Sequence, residues 1–179
     1  LIGDESDVIE NAVTTFLMLN PDSPQYFKDL SEQLVRNTLK VLKRLDKDKG
    51  IDGYYSTFIW MSRVLQNNGN QGRELVNKFS KISSATPDEA KENADIASWF
   101  MNEYFAERSK VYENSSGIRS QVAKVIANQY LRHILNPDVE AGEQNEIDFD
   151  KHLAEGGVIC ISTAQGLLRD LGKFLGYFI

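Results

Sequence analysis

The sequence predicts a mainly α protein, with a multi-helix block over residues 1–136 and one return into an α/β sheet near the end. Three observations predict it. Apolar residues recur at steps of three and four through most of the first 136 positions. The one short, continuous apolar run bounded by glycines, Val158-Ile159-Cys160-Ile161, comes late and follows Gly156-Gly157. The composition, 41% apolar and 26% charged over 179 residues, suits a folded domain rather than a disordered chain. One strand makes no sheet. Its partners are therefore expected in sequence outside this chain, which would make the chain a piece of a larger α/β protein.

The elements follow in order. Val8, Ala12, Thr15, Phe16 and Leu19 share one helical face, and Asp4, Glu5 and Asp7 suit the positive end of that helix. After the break at "NPDSPQ", Ser23 is placed as N-cap and Pro24 at the first helical position. The helix that follows, over 24–47, carries a stripe of Phe27, Leu30, Leu34, Thr38, Val41 and Leu45. At 1.5 Å per residue it spans roughly 36 Å and is the principal core helix. A polar turn leads to a helix in "TFIWMSRVLQNN", ended by Asn68-Gly69, and to a short amphipathic one in "GRELVNKFSKI". Thr86, Pro87 and Glu89 form a capping-box start for a helix expected to reach Tyr112, interrupted by "ENSSG". The last core helix, 118–135, is expected to bury Val122, Val125, Ile126, Tyr130 and Ile134. An acidic linker over 137–145 precedes the terminal unit at 146–179. That unit is a polar helix over 148–155, a buried strand, a small-residue turn and an apolar helix.

Charge and cysteine usage narrow the function classes. The net charge of −6 gives no global field toward nucleic acid or anionic lipid, so any DNA contact must come from a local patch. The acidic balance favours docking of basic protein partners. The single cysteine, Cys160, falls in the expected strand, which rules out an intramolecular disulfide and points to a structural thiol. His133 and His152 lack cysteine or acid at ligand spacing, and the acidic clusters lack the spacing of a calcium loop, so no metal site is expected.

The most informative charged feature is the row Arg36, Lys40, Lys43, Arg44 and Lys47. Its spacing sets these cations on one side of the long helix, largely away from the apolar stripe. Such a row can follow a phosphate backbone without reading sequence. It can equally be a solvated face whose cations suit the helix C-terminus. Asp46 and Asp48 dilute it. Tyr54, Tyr55 and Trp60 lie just beyond and could stack on bases, although core positions suit them better. "STAQGLLRDLG" after the strand has the strand–turn–helix order of an anion site, but neither the lysine nor the glycine spacing of a phosphate loop. Gly172 and Gly176 suit close packing of the last helix on a sheet.

The stretches "SGIRSQVAKVIANQYLRHILNP", "IDFDKHLAEGGVICISTA" and "LRDLGKFLGYF", together with "SPQYFKDLSEQLVRNTLKVL", resemble the type IV coupling proteins of bacterial conjugation. These are the membrane-anchored, DNA-pumping ATPases of type IV secretion systems. The resemblance implies an all-α domain at residues 1–136 inserted in a RecA-like α/β ATPase domain. Only a strand–helix stub of that ATPase domain would be present, at 146–179. It implies ATP and magnesium as cofactors of a hexameric full-length protein, and none for this part of it. The GxxxxGK[ST] loop is absent from the sequence, and so is an apolar strand ending in the acidic magnesium site. The chain itself is therefore not expected to be catalytic. Implied partners are relaxase and relaxosome proteins, transferred DNA and other secretion components, at the cytoplasmic side of the bacterial inner membrane. The alternatives are the helical insert of the channel-assembly ATPase of the same systems, and a free-standing helical interaction module.

Overall fold

The structure, a computed structural model, describes residues 4–48, 54–136, 149–158, 160, 168 and 171–178. All regular structure among them is helical. Helix α1 (Glu5–Leu19) starts where the Asp4 carboxylate accepts the Ser6 N–H at 2.9 Å. This cap satisfies one of the orphan donors of the first turn, beyond the favourable charge expected of the acidic start. Val8, Ile9, Ala12, Val13 and Phe16 form its buried face.

Helix α2 (Gln25–Lys47) is the central element. It begins one residue later than the capping signal suggests, with Pro24 at the N-cap and its carbonyl accepting from the Phe27 N–H. Leu34, Leu39, Val41, Leu42 and Leu45 are fully buried, as is Thr38, so its apolar face is wider than the expected stripe. Burial of each such leucine contributes about 1.5–3 kcal/mol, which makes α2 the main source of core energy. Phe27, assigned to the stripe by spacing, is instead 41% exposed. It lies in the first turn, where it is only partly covered.

Helix α3 (Phe58–Gln66) is capped by the Thr57 hydroxyl and closed by Asn67 in the left-handed conformation, one residue ahead of the expected stop. The turn lets α4 (Gln71–Phe79) fold back on α3 so closely that a Cβ on Gly72 would lie 2.6 Å from the Val64 carbonyl oxygen. Only glycine fits there. Asp46 accepts from the backbone N–H groups of Tyr55 (2.5 Å) and Ser56 (2.9 Å), fixing the approach to α3 against the end of α2.

Helix α5 (Pro87–Trp99) has the predicted start: Thr86 Oγ accepts from the Glu89 N–H at 3.1 Å, and the Glu89 carboxylate accepts from the Ala85 N–H. The expected run to Tyr112 does not occur. The chain widens into a π-turn at Phe100–Tyr104, in which the Phe105 N–H donates to the Phe100 carbonyl. Arg108 then takes a positive φ of 58°, and Ser109 caps a new short helix, α6 (Lys110–Asn114). The tertiary reason is aromatic. The extra residue turns Phe100, Tyr104 and Phe105 into one cluster with Trp99 and Tyr112, with centroids 5.0–5.8 Å apart. Tyr104 is fully buried, its hydroxyl donating to the Leu65 carbonyl at 2.7 Å.

The expected last core helix is likewise two: α7 (Ser116–Ala127) and α8 (Gln129–Leu135). Asn128 ends the first with an extended backbone and caps the second, its side chain accepting from the Tyr130 and Leu131 N–H groups. The new direction buries Leu131 and leaves Tyr130 46% exposed, against the expectation that Tyr130 is core; Ile126 is half-buried.

Past the linker at 137–145, which lies outside the described residues, α9 (Phe149–Ala154) ends at Gly156 with φ +71°, as the glycine pair predicts. The buried strand does not follow. Val158 is 89% exposed, Cys160 is exposed and neither is in a strand; Ile159 and Ile161 lie outside the described residues. An extended run needs a second strand for its N–H and C=O groups, and none exists among the described residues. The turn at 162–166 is also outside them. The last helix, α10 (Leu171–Phe178), packs on α1, so the close packing expected against a sheet is made against a helix. Phe174 is fully buried, 5.6 Å from the Phe16 ring and 5.8 Å from Phe58, so the helix assigned to a separate terminal unit shares the core of the helical block.

Candidate functional site

The basic row lies where the sequence places it, along the C-terminal half of α2, but its cations are engaged within the protein. The Arg36 guanidinium bridges Glu10 on α1 (2.5 and 2.9 Å) and Glu32 one turn back (2.8 Å). These contacts raise its pKa above the ordinary arginine value. Lys40 pairs with Glu92 of α5. Arg44, only 9% exposed, donates to Glu5 at 2.9 Å, Glu92 at 2.6 Å and Asn93 at 2.6 Å, and so joins α1, α2 and α5. Burial works to lower the Arg44 pKa, and the two carboxylates more than offset it. Lys43 is 8% exposed and burial lowers its pKa. Lys47 extends outward, 3.8 Å from Glu5.

The physical cause is helix packing. α1 packs along α2, α5 comes within side-chain reach of it, and each brings carboxylates onto the cationic side. The Glu92 carboxyl is held below the ordinary glutamate value, first by the Lys40 hydrogen bond, against burial, and then by Arg44. Such an arrangement ties three helices together rather than displaying charge. The neighbouring aromatics are used similarly. Tyr55 is buried, its ring 5.0 Å from that of Trp60, and the Arg63 guanidinium covers Trp60 at 4.2 Å. Tyr54 is half-buried, and burial raises its pKa. No group of His, Cys, Asp and Glu among the described residues is arranged to hold a metal ion. No helix among them is long and apolar enough to cross a membrane.

The other end of α2 is different. A groove opens between the end of α1, the start of α2 and the first turns of α7, with a volume of about 260 Å³. It continues into a larger cavity of about 570 Å³ between α1, α7 and α10, and the two share Asn20, Gly117 and Gln121. Its apolar lining comes from Leu17, Leu19, Ile118 and Leu171, and its polar lining includes Ser23, Ser31 and Ser120. Phe27 lines the smaller opening, 41% exposed, and Met18 and Tyr177 line the larger, 48% and 47% exposed. Tyr26, 56% exposed, stacks edge-on against Phe27 with centroids 5.3 Å apart.

Three helices contribute one lysine each to the lining: Lys28 from α2, Lys124 from α7 and Lys173 from α10. No carboxylate lines either cavity among the described residues, and none of the three lysines pairs with one. The helical repeat explains part of this. Gly117, Ser120, Gln121 and Lys124 fall at steps of three and four and share one face of α7. Lys173 and Tyr177 are likewise one turn apart on α10. Sequence reasoning missed the site because its cations lie far apart in the chain. The usable signal was Tyr26-Phe27 at the very start of a helix, where a stripe has no neighbour to cover it.

Compared with protein-family models, with curated proteins and with solved structures, the chain has no match.

Proposed function

We propose that the chain is the all-α module of a type IV coupling protein. In this reading it docks relaxosome proteins, and with them the transferred DNA, for an ATP-driven motor built by other parts of a hexameric full-length protein. ATP and magnesium would belong to that motor, at the cytoplasmic side of the inner membrane. The resemblance of residues 116–137, of which Ser116–Ala127 and Gln129–Leu135 fold as α7 and α8, supports the family. The observation that carries the docking role is the groove. In a chain of net charge −6, three lysines without carboxylate partners and three exposed large side chains surround one opening. Open apolar area of this kind, bordered by polar groups, marks interaction surfaces.

The experiment is capture of purified relaxase and accessory proteins of a conjugation system by the immobilised chain, beside a salt titration with labelled single-stranded DNA. The expected result is binding of a relaxosome protein together with a shallow DNA salt dependence. A second reading has DNA running along Arg36, Lys40, Lys43, Arg44 and Lys47. It predicts a log–log salt slope of about −3.5, from roughly −0.7 per phosphate contact. That mode would have to displace Glu5, Glu10 and Glu92 from the row. A chain that binds neither relaxosome proteins nor DNA at low salt sinks the family reading.

A further inference from the structure

We infer that the groove between α1, α2, α7 and α10 receives an acidic, amphipathic segment of a partner protein. This inference deepens the docking role and rests on it. Charge complementarity selects the occupant. The chain as a whole is acidic, so its global field favours basic partners, but the groove reverses that preference locally through Lys28, Lys124 and Lys173. The N-terminal turn of α7 adds its partial positive charge at Ser116 and Gly117, which line the same opening.

The lining selects the second property. Leu17, Leu19, Ile118 and Leu171 offer aliphatic surface, which accepts leucine- or methionine-like anchors. Met18 at the margin is an adaptable neighbour for such anchors. A nucleic acid would need ring faces spaced along a continuous cationic track, and here three cations are spread over two joined cavities. An amphipathic segment matches both halves of the chemistry. Its apolar face enters between α1 and α7, and its carboxylates meet the lysines at the margin. Phe27 lines the smaller opening and Tyr177 the larger.

The test uses the whole chain and three labelled probes of equal length and charge magnitude. These are a peptide with leucine and glutamate at helical spacing, the same peptide with lysine for glutamate, and an oligothymidylate. Fluorescence anisotropy should show binding of the acidic peptide, weakening as salt rises. The triple variant K28E/K124E/K173E should bind it about tenfold more weakly, the effect of a few rim charge contacts. F27A and Y177A should each weaken binding severalfold. K91E, an exposed change on α5 that shifts net charge as much as each single groove reversal, is the control for K124E alone and should leave binding nearly unchanged. Thermal melts of all variants show that they remain folded.

No binding of the acidic peptide at about 1 mM overturns the inference, as does a triple variant that binds as well as the parent. Tighter binding of the lysine peptide overturns it in favour of a basic partner, and tighter binding of oligothymidylate in favour of nucleic acid. The family reading fails separately. If the acidic peptide binds at the groove and no relaxosome protein does, the groove assignment stands and the coupling-protein reading falls. If a relaxosome protein binds equally to parent and triple variant, the reverse holds.

Discussion

The two ends of α2 carry the same kind of side chain and use it in opposite ways. Along the C-terminal half, Arg36, Lys40 and Arg44 meet carboxylates brought in by α1, α5 and α2 itself. Roughly 12–24 Å away along the axis, at the N-terminal end, Lys28 stands with Lys124 and Lys173 beside a groove in which no described carboxylate lies. A cation is therefore informative through what packs opposite it. At one end charge has become part of the fold, and at the other it stays open to a ligand.

The largest expected effect concerns the wall of the groove. Phe174→Ala removes a fully buried ring from between Phe16 and Phe58 and should cost about 3–4 kcal/mol, read as a lowered denaturant midpoint. It should also loosen α10 and with it the position of Lys173. A cost below about 1 kcal/mol would detach α10 from the core and remove one side of the groove.

Arg44→Ala comes next. It leaves the Glu5 and Glu92 carboxylates without their shared partner and the Asn93 carbonyl without its donor. The expected loss is about 2–3 kcal/mol, short of that for a wholly buried pair because Glu92 is partly exposed. Lys124→Ala at the groove should change stability by less than about 0.5 kcal/mol. Neutralising Lys40, Lys43 and Arg44 together should lower stability as well as flatten a DNA salt slope. Equal melting temperatures for Arg44→Ala and Lys124→Ala would erase the contrast between the two ends.

The smallest effect is the dependence on pH. The folded-state pKa of Glu92 lies below its ordinary value of 4.5, through the Lys40 hydrogen bond and then Arg44. A carboxylate depressed in this way contributes stability that is fully present above its unfolded pKa and is lost as pH falls through the folded value. Urea midpoints should accordingly fall as pH drops from about 5 toward 3, and the fall should be shallower in Arg44→Ala. An unchanged slope in that variant would mean that the Arg44–Glu92 pair contributes nothing measurable.

Much of the fold was legible from local signals. The Thr86–Glu89 box, the acidic start of α1, the glycine stop after α9 and the stripe of α2 each follow from chemistry confined to a few residues. The failures have one character. Phe27 and Tyr130 continue an apolar period but are left 41% and 46% exposed by the packing, and the run at 158–161 has strand composition without a described strand to pair with. The π-turn at Phe100–Tyr104 and the break at Asn128 interrupt sequences with good helix patterning, because rings and the next helix needed a different direction. The candidate site was less legible. The row was found by spacing, but its carboxylate partners lie up to 52 residues away.

The sequence by itself determined that this protein is mainly helical, that α2 is its longest helix and core, and where most helices start, since caps and periodicity act within a few residues. It also determined that five cations share one side of α2. Only the tertiary structure decided that those cations meet Glu5, Glu10, Glu32 and Glu92, that Phe174 joins Phe16 and Phe58, and that Lys28, Lys124 and Lys173 converge on one groove. Except for Arg36 with Glu32, one turn apart on α2, these pairings form between different helices. The tertiary arrangement of the helices, with α1, α3 and α4 packed on α2, α7 on α3 and α10 on α1, rather than any local pattern, sets which charges are neutralised and which stay available.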